Sequence, residues 1–159
     1  MQELILVDLD RTLFDTESWH QALSAAMSGE TPNGPDDLID YPPKSFLYPD
    51  AESFISKFDF TIFTYGEESW QRIKIKVSKL THEVLFAETE DKTKLIELMM
   101  GSGKYSRVVL IDDKLKNFKG YEKLPNATGF LVDRRRRFIN DRMPSNVTRI
   151  ESLEEITSL

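Results

Sequence analysis

The sequence predicts an α/β protein, a Rossmann-like parallel sheet of about five strands with helices on both faces. Three observations lead there. Short apolar runs recur at 4–7 (LILV), 60–63 (FTIF), 83–86 (EVLF), 107–111 (RVVLI) and 129–132 (GFLV). They lack the polar alternation of strands wetted on one face, so they suit strands covered on both. Helical spacing fills the gaps between them, and right-handed crossovers return each such helix to the sheet.

The elements come in chain order. LILV runs directly into Asp8 and Asp10, and Trp19, Leu23, Ala26 and Met27 then share one helical face. Residues 29–49, dense in proline and glycine, read as a surface loop, and PDAESFISKF after them reads as a helix. Trp70, Ile73, Val77 and Leu80 mark the next helix; Leu95, Leu98 and Met99 mark another, which Gly101 stops. GSGKYS (101–106) lacks the earlier glycine and the hydroxyl residue after lysine that a phosphate-cradling loop requires, so it is a helix stop and turn.

With 159 residues and 40% hydrophobic composition, the chain has enough for one core, hence a single domain over 1–159 with a loop and helical insertion at about 13–58. The absence of cysteine excludes disulfides and thiolate metal sites. No basic-then-apolar leader and no apolar run of spanning length is seen, which fits a soluble cytoplasmic protein with no membrane partner. The net charge is -6, with 12 acids and 3 bases in the first 60 residues, and the sequence pI near 5.0 lacks the basic footprint of a general nucleic-acid binder. DRRRRF (133–138) reads as a solvated basic loop, or else as a grip on a phosphate-rich partner through Arg134 to Arg137. His20 and His82 stand isolated and receive no catalytic role, and nothing in the sequence speaks to oligomeric state.

The residues just after each apolar run carry the chemistry: Asp8 and Asp10, then Thr64, then Lys92 or Lys94, then Asp112 and Asp113. Singly, each has an ordinary reading as cap, turn former, strand former or solvated lysine. In a parallel sheet, however, ligands gather at the carboxyl ends of the strands. Carboxylates converging there repel one another, and one lysine cannot neutralise them all. A hard dication is the usual remedy, and oxygen-only ligation favours Mg²⁺ over zinc.

The set resembles the haloacid dehalogenase (HAD) superfamily. DLDRT is similar to its DxDx[TV] first motif, FTIFT to the second, DKTKLIEL to the third and VVLIDDK to the fourth, over residues 4 to about 118. The resemblance implies that Asp8 is a nucleophile forming an aspartyl phosphate, and that Asp10 is the acid and then the base. It implies that Thr64 and Lys92 hold the phosphoryl oxygens, with Lys94 as the competitor for Lys92. Asp8, the backbone carbonyl of Asp10, Asp112 and Asp113 would hold Mg²⁺. The chain departs from a Gly-Asp fourth motif with a later Asp: Asp112 takes the glycine's place and Asn117 the later acid's, so Asp113 is read as the direct ligand with Asp112 in support.

The intervals between motifs leave no room for a full cap domain. The resemblance therefore implies a Mg²⁺-dependent phosphatase with an open site, acting on large or exposed phosphate groups such as phosphoproteins or nucleic-acid ends. The alternative is a non-hydrolytic module, HAD-like or akin to a receiver-type phosphoacceptor.

Overall fold

The computed structural model describes residues 2–25, 28 and 46–159. The stretch 29–45 of the expected surface loop, with Ala26 and Met27 of the first helical pattern, lies outside the described residues.

Among the described residues, six strands form one sheet: β1 (Gln2–Val7), β2 (Thr61–Thr64), β3 (Val84–Phe86), β4 (Tyr105–Asp112), β5 (Ala127–Val132) and β6 (Val147–Ile150). All pairings are parallel, in the order β3-β2-β1-β4-β5-β6. The five expected runs are all strands, and β6 is the addition to about five. Its sequence VTRI hides it: β6 is an edge strand, so Thr148 is exposed and Arg149 half-buried, and only Val147 and Ile150 are buried.

Four helices among the described residues connect the strands: α1 (Thr16–Ala25), α2 (Pro49–Lys57), α3 (Glu68–Val77) and α4 (Thr93–Gly101). Asp15 starts α1 as its carboxylate accepts from the backbone N–H groups of Glu17 and Ser18 and from the Ser18 hydroxyl. Pro49 stands in the first turn of α2, where its missing N–H costs nothing. α4 ends at Gly101, and the GSGKYS turn delivers the chain into β4 with Gly103 left-handed at φ 68°. The expected face of α4 is met in part: Leu95 and Met99 pack against the core beside the buried Ile96, while Leu98 is 70% exposed.

Two apolar cores cover the two faces of the sheet. One joins Val7, Ile62, Val109 and Ile111 to Trp19 of α1, Phe54 of α2 and Val77 of α3. An aromatic group of Phe14, Trp19 and Phe46 closes it, with ring centroids 5.4 to 5.9 Å apart. The other joins Leu6, Phe63, Val108 and Leu110 to Ile96 of α4 and to Phe118 and Tyr121 of two 3₁₀ turns. Gly129 is required here, because a Cβ on it would lie 2.6 Å from the Phe118 ring.

Among the described residues, the intervals between strands hold helices and turns but no second domain. None of the described helices is long and apolar enough to cross a membrane. The strand order reverses between β1 and β4, and β1 and β4 end side by side, Val7 opposite Ile111. The crevice beyond these carboxyl ends is where a doubly wound sheet binds ligands.

Candidate active site

Asp8 leaves β1 by donating its backbone N–H to the carbonyl of Ile111, so the first acid is tied to the end of β4. The chain then turns sharply. The carbonyl of Leu9 accepts from the N–H groups of Thr12, Leu13 and Phe14, and Arg11 adopts the left-handed region at φ 63°. This turn presents Asp8 and Asp10 in different surroundings.

Asp8 meets Asp112 and Asp113, and carboxylate oxygens of the three lie within 4.8 Å of one another, all three buried. Lys92, 2% exposed, donates to Asp8 at 2.6 Å, to Asp112 at 2.8 Å and to the carbonyl of Phe63 at 2.6 Å. Lys94, by contrast, is exposed on α4. Burial disfavours the Lys92 ammonium, but the carboxylates of Asp8 and Asp112 outweigh burial and raise its pKa. Burial pushes Asp8 up to about 7; Lys92 opposes this, while Asp112 and Asp113 add to it.

The two acids ending β4 differ. Asp112 is hydrogen-bonded at both oxygens: Lys92 and Asn117 donate to one and the backbone N–H of Lys114 to the other. Asp113 accepts from Arg137 through Oδ2 at 3.1 Å, but its Oδ1 is buried with no hydrogen-bond partner. Burial and the neighbouring Asp112 raise the Asp113 pKa against the pull of Arg137. An unsatisfied buried carboxylate oxygen on one member of a three-acid cluster with one lysine suits a hard divalent cation, and the all-oxygen donor set fits Mg²⁺. Thr64, the last residue of β2, is fully buried, and its hydroxyl also has no partner.

Asp10 points its carboxylate elsewhere. It accepts from Thr16 at 2.6 Å and Lys74 at 2.7 Å through Oδ1, and from Gln71 at 3.0 Å through Oδ2. Burial would raise its pKa, but Lys74 with these hydrogen bonds prevails and lowers it. The Asp10 side chain is therefore outside the acidic trio and would meet a metal only through its backbone.

Sequence reasoning missed Lys74, Gln71 and Thr16. The signal for the first two is weak: they stand three apart on α3 and are buried along with Val77, but to the side of the stripe of Trp70, Ile73, Val77 and Leu80 expected to be apolar. Asn117 stands where an acid was sought and carries the cluster's hydrogen bonding instead. It donates to Asp112 and accepts from the backbone N–H of Lys92, joining the starts of α4 and the turn after β4.

The arginines of DRRRRF are each paired with a carboxylate: Arg134 with Asp50, Arg135 with Glu17, Arg136 with Glu151 and Arg137 with Asp113. Asp133 organises their loop by accepting from the N–H groups of Arg137 and Phe138.

No protein-family model matches the chain, and no curated protein sequence does. Solved structures do. A haloacid dehalogenase-like hydrolase from Burkholderia xenovorans superposes with a TM-score of 0.65 at 18% identity, covering 98% of this chain and 94% of that one. The HAD-hydrolase YfnB from Bacillus subtilis, solved bound to magnesium, gives 0.62 at 15% identity, over 98% and 96% of the two chains. A 2-haloacid dehalogenase from Pseudomonas syringae gives 0.59 at 14%, again over 98% and 96%. The chain has the haloacid dehalogenase-like fold.

Proposed function

We propose that the protein is a Mg²⁺-dependent phosphatase that hydrolyses a phosphomonoester through an aspartyl phosphate on Asp8. The observation that carries this reading is the buried trio of Asp8, Asp112 and Asp113, served by one lysine and with one Asp113 oxygen left unpartnered. Asp8, the Asp10 carbonyl, Asp112 and Asp113 would hold the ion. When bound, it supplies positive charge that keeps Asp8 ionised and offsets the negative charge of the phosphoryl group.

The chain's own groups do the rest. An Asp8 oxygen attacks phosphorus and forms an acyl phosphate as the bond from phosphorus to the ester oxygen breaks. Asp10 gives its proton to the departing oxygen, then takes one from the water that attacks the acyl phosphate, and phosphate leaves with Asp8 restored. The Lys92 ammonium and the Thr64 hydroxyl balance the phosphoryl oxygens. Lys74, Gln71 and Thr16 fix the direction of Asp10. Among the described residues, the intervals between strands hold no second domain to enclose a small substrate, which supports exposed phosphate groups, including those on macromolecules, as the substrate class.

One neighbour is a dehalogenase, and chemistry separates the two readings. A halide departs without a proton, and carbon–halogen displacement places no multiply charged group beside the trio. A second carboxylate held by three donors therefore has more to do in phosphate ester hydrolysis. The test is hydrolysis of p-nitrophenyl phosphate with Mg²⁺ and with chelator, beside 2-chloropropionate. Wild type should turn over the phosphate ester only with Mg²⁺, and a folded Asp8→Asn variant should lose at least about a hundredfold of that rate. Chloride release without phosphate release would refute the assignment.

A further inference from the structure

We propose that the substrate carries a second anionic group, a phosphate or carboxylate joined to the phosphoryl ester by a short linker, and that an arginine-lined pocket beside Asp113 binds it. The proposal rests on the phosphomonoester reading for the first anion only. The pocket, about 100 Å³, is lined by Arg11, Tyr48, Asp113, Arg134, Arg135 and Arg137, together with Glu17 and Val132. Asp113 also belongs to the acidic trio, so the pocket and the reaction centre share a wall. The space holds a few waters' worth of volume, which suits one compact anion.

Four guanidinium groups around so small a space repel one another unless anions are supplied. The chain supplies three carboxylates. Asp50 takes Arg134 in a two-point contact at 2.7 and 2.9 Å, Glu17 takes Arg135, and Asp113 takes Arg137. Arg11 has no side-chain hydrogen bond or ion pair among the described residues, although its backbone is committed to the turn after Asp10.

Arg134 adds a fixed positive charge. Its terminal nitrogens are taken by Asp50 and by the Thr12 carbonyl, and its plane lies 4.0 Å over the Tyr48 ring, yet its Nε is buried with no partner. A rigidly clamped arginine that contributes charge, and a second arginine with none of its side-chain donors used, line one cavity at the edge of the reaction centre. Guanidinium forks match phosphate and carboxylate oxygens in two-point contacts. The acidic walls do not forbid this, because Glu17 and Asp113 are each already tied to an arginine.

Propane-1,3-diphosphonate and propylphosphonate test the proposal, since carbon–phosphorus bonds resist hydrolysis and affinity is read without turnover. Titration calorimetry of the full chain with Mg²⁺ should show the diphosphonate binding about tenfold tighter or more. In the double variant Arg11→Gln/Arg135→Gln the diphosphonate should fall to the level of the monophosphonate, whose affinity stays within about twofold. Circular dichroism checks the variant's fold, and the wild-type comparison decides the matter even if the variant fails to fold. Equal affinities in wild type, or a preference retained in the folded double variant, would overturn the second-anion site. A preference shown by a wild-type protein that cannot hydrolyse p-nitrophenyl phosphate, and lost in the double variant, would instead overturn the phosphatase reading alone.

Discussion

Asp8 and Asp10 stand two positions apart, yet their partners give them opposite acidities. Burial and two neighbouring acids push Asp8 up to about 7, whereas Lys74, Thr16 and Gln71 hold Asp10 below its ordinary value. In the proposed mechanism a lowered Asp10 is a ready base but is protonated only at low pH. Rates that need its proton should therefore decline as pH rises, from a lower pH than an ordinary carboxylic acid would give. An alkyl phosphate needs that proton, while p-nitrophenolate leaves without it. In Lys74→Met the cation that lowers Asp10 is gone, so the alkyl phosphate's declining limb should move to higher pH while that of p-nitrophenyl phosphate moves less. The pH profiles of kcat/KM check this, and coincident shifts for both esters would contradict it. The five acids and hydroxyls at strand ends were legible because apolar runs announce where strands stop. Lys74 and Gln71 were not, because polar residues on an α3 rich in lysine look like a solvated face until the site that buries them is known.

Helix α2 is joined to the far edge of the molecule by one carboxylate. Asp50, in its first turn, accepts from Arg134 after β5, from the Ser152 hydroxyl and from the Leu153 N–H at the turn beyond β6. Burial would raise the Asp50 pKa, but these hydrogen bonds and the Arg134 charge prevail and lower it. Asp50→Asn should cost about 2–3 kcal/mol at pH 7 by chemical denaturation. A lowered folded pKa means stabilisation that is complete above the ordinary carboxylate value and lost as pH falls through the folded one. The gap between wild type and Asp50→Asn should thus hold down to about pH 4 and narrow below it, and a gap that stayed constant as pH fell well below about 4 would refute the ion-pair account. The partners of this clamp are 84 and more residues from Asp50 in sequence. No local pattern reveals such a pairing. Strand β6 was hidden for a related reason, since its exposed polar residues leave only two buried apolar positions to read.

At the scale of the whole molecule, the parallel order β3-β2-β1-β4-β5-β6 explains why residues from four separate stretches meet. β1 and β4 are neighbours at the reversal point, so Asp8 adjoins Asp112 and Asp113, while β2 and the start of α4 bring Thr64 and Lys92 to the same end. This much was legible from strand runs and chain order, since right-handed crossovers leave few arrangements of a parallel sheet. The depth of the site was not, nor was the ring of arginines beside it, because both depend on how loops close over the strand ends. The central claim is that Asp8 becomes phosphorylated. Its most direct measurement is acid quenching of the Asp10→Asn variant during turnover of p-nitrophenyl phosphate with Mg²⁺, then peptide mass spectrometry. The account predicts a phosphoryl group on the peptide bearing Asp8, located at Asp8 itself and longer-lived than in wild type. Phosphate release by wild type with no label trapped on Asp8 in the variant, or a label on another residue, would contradict it.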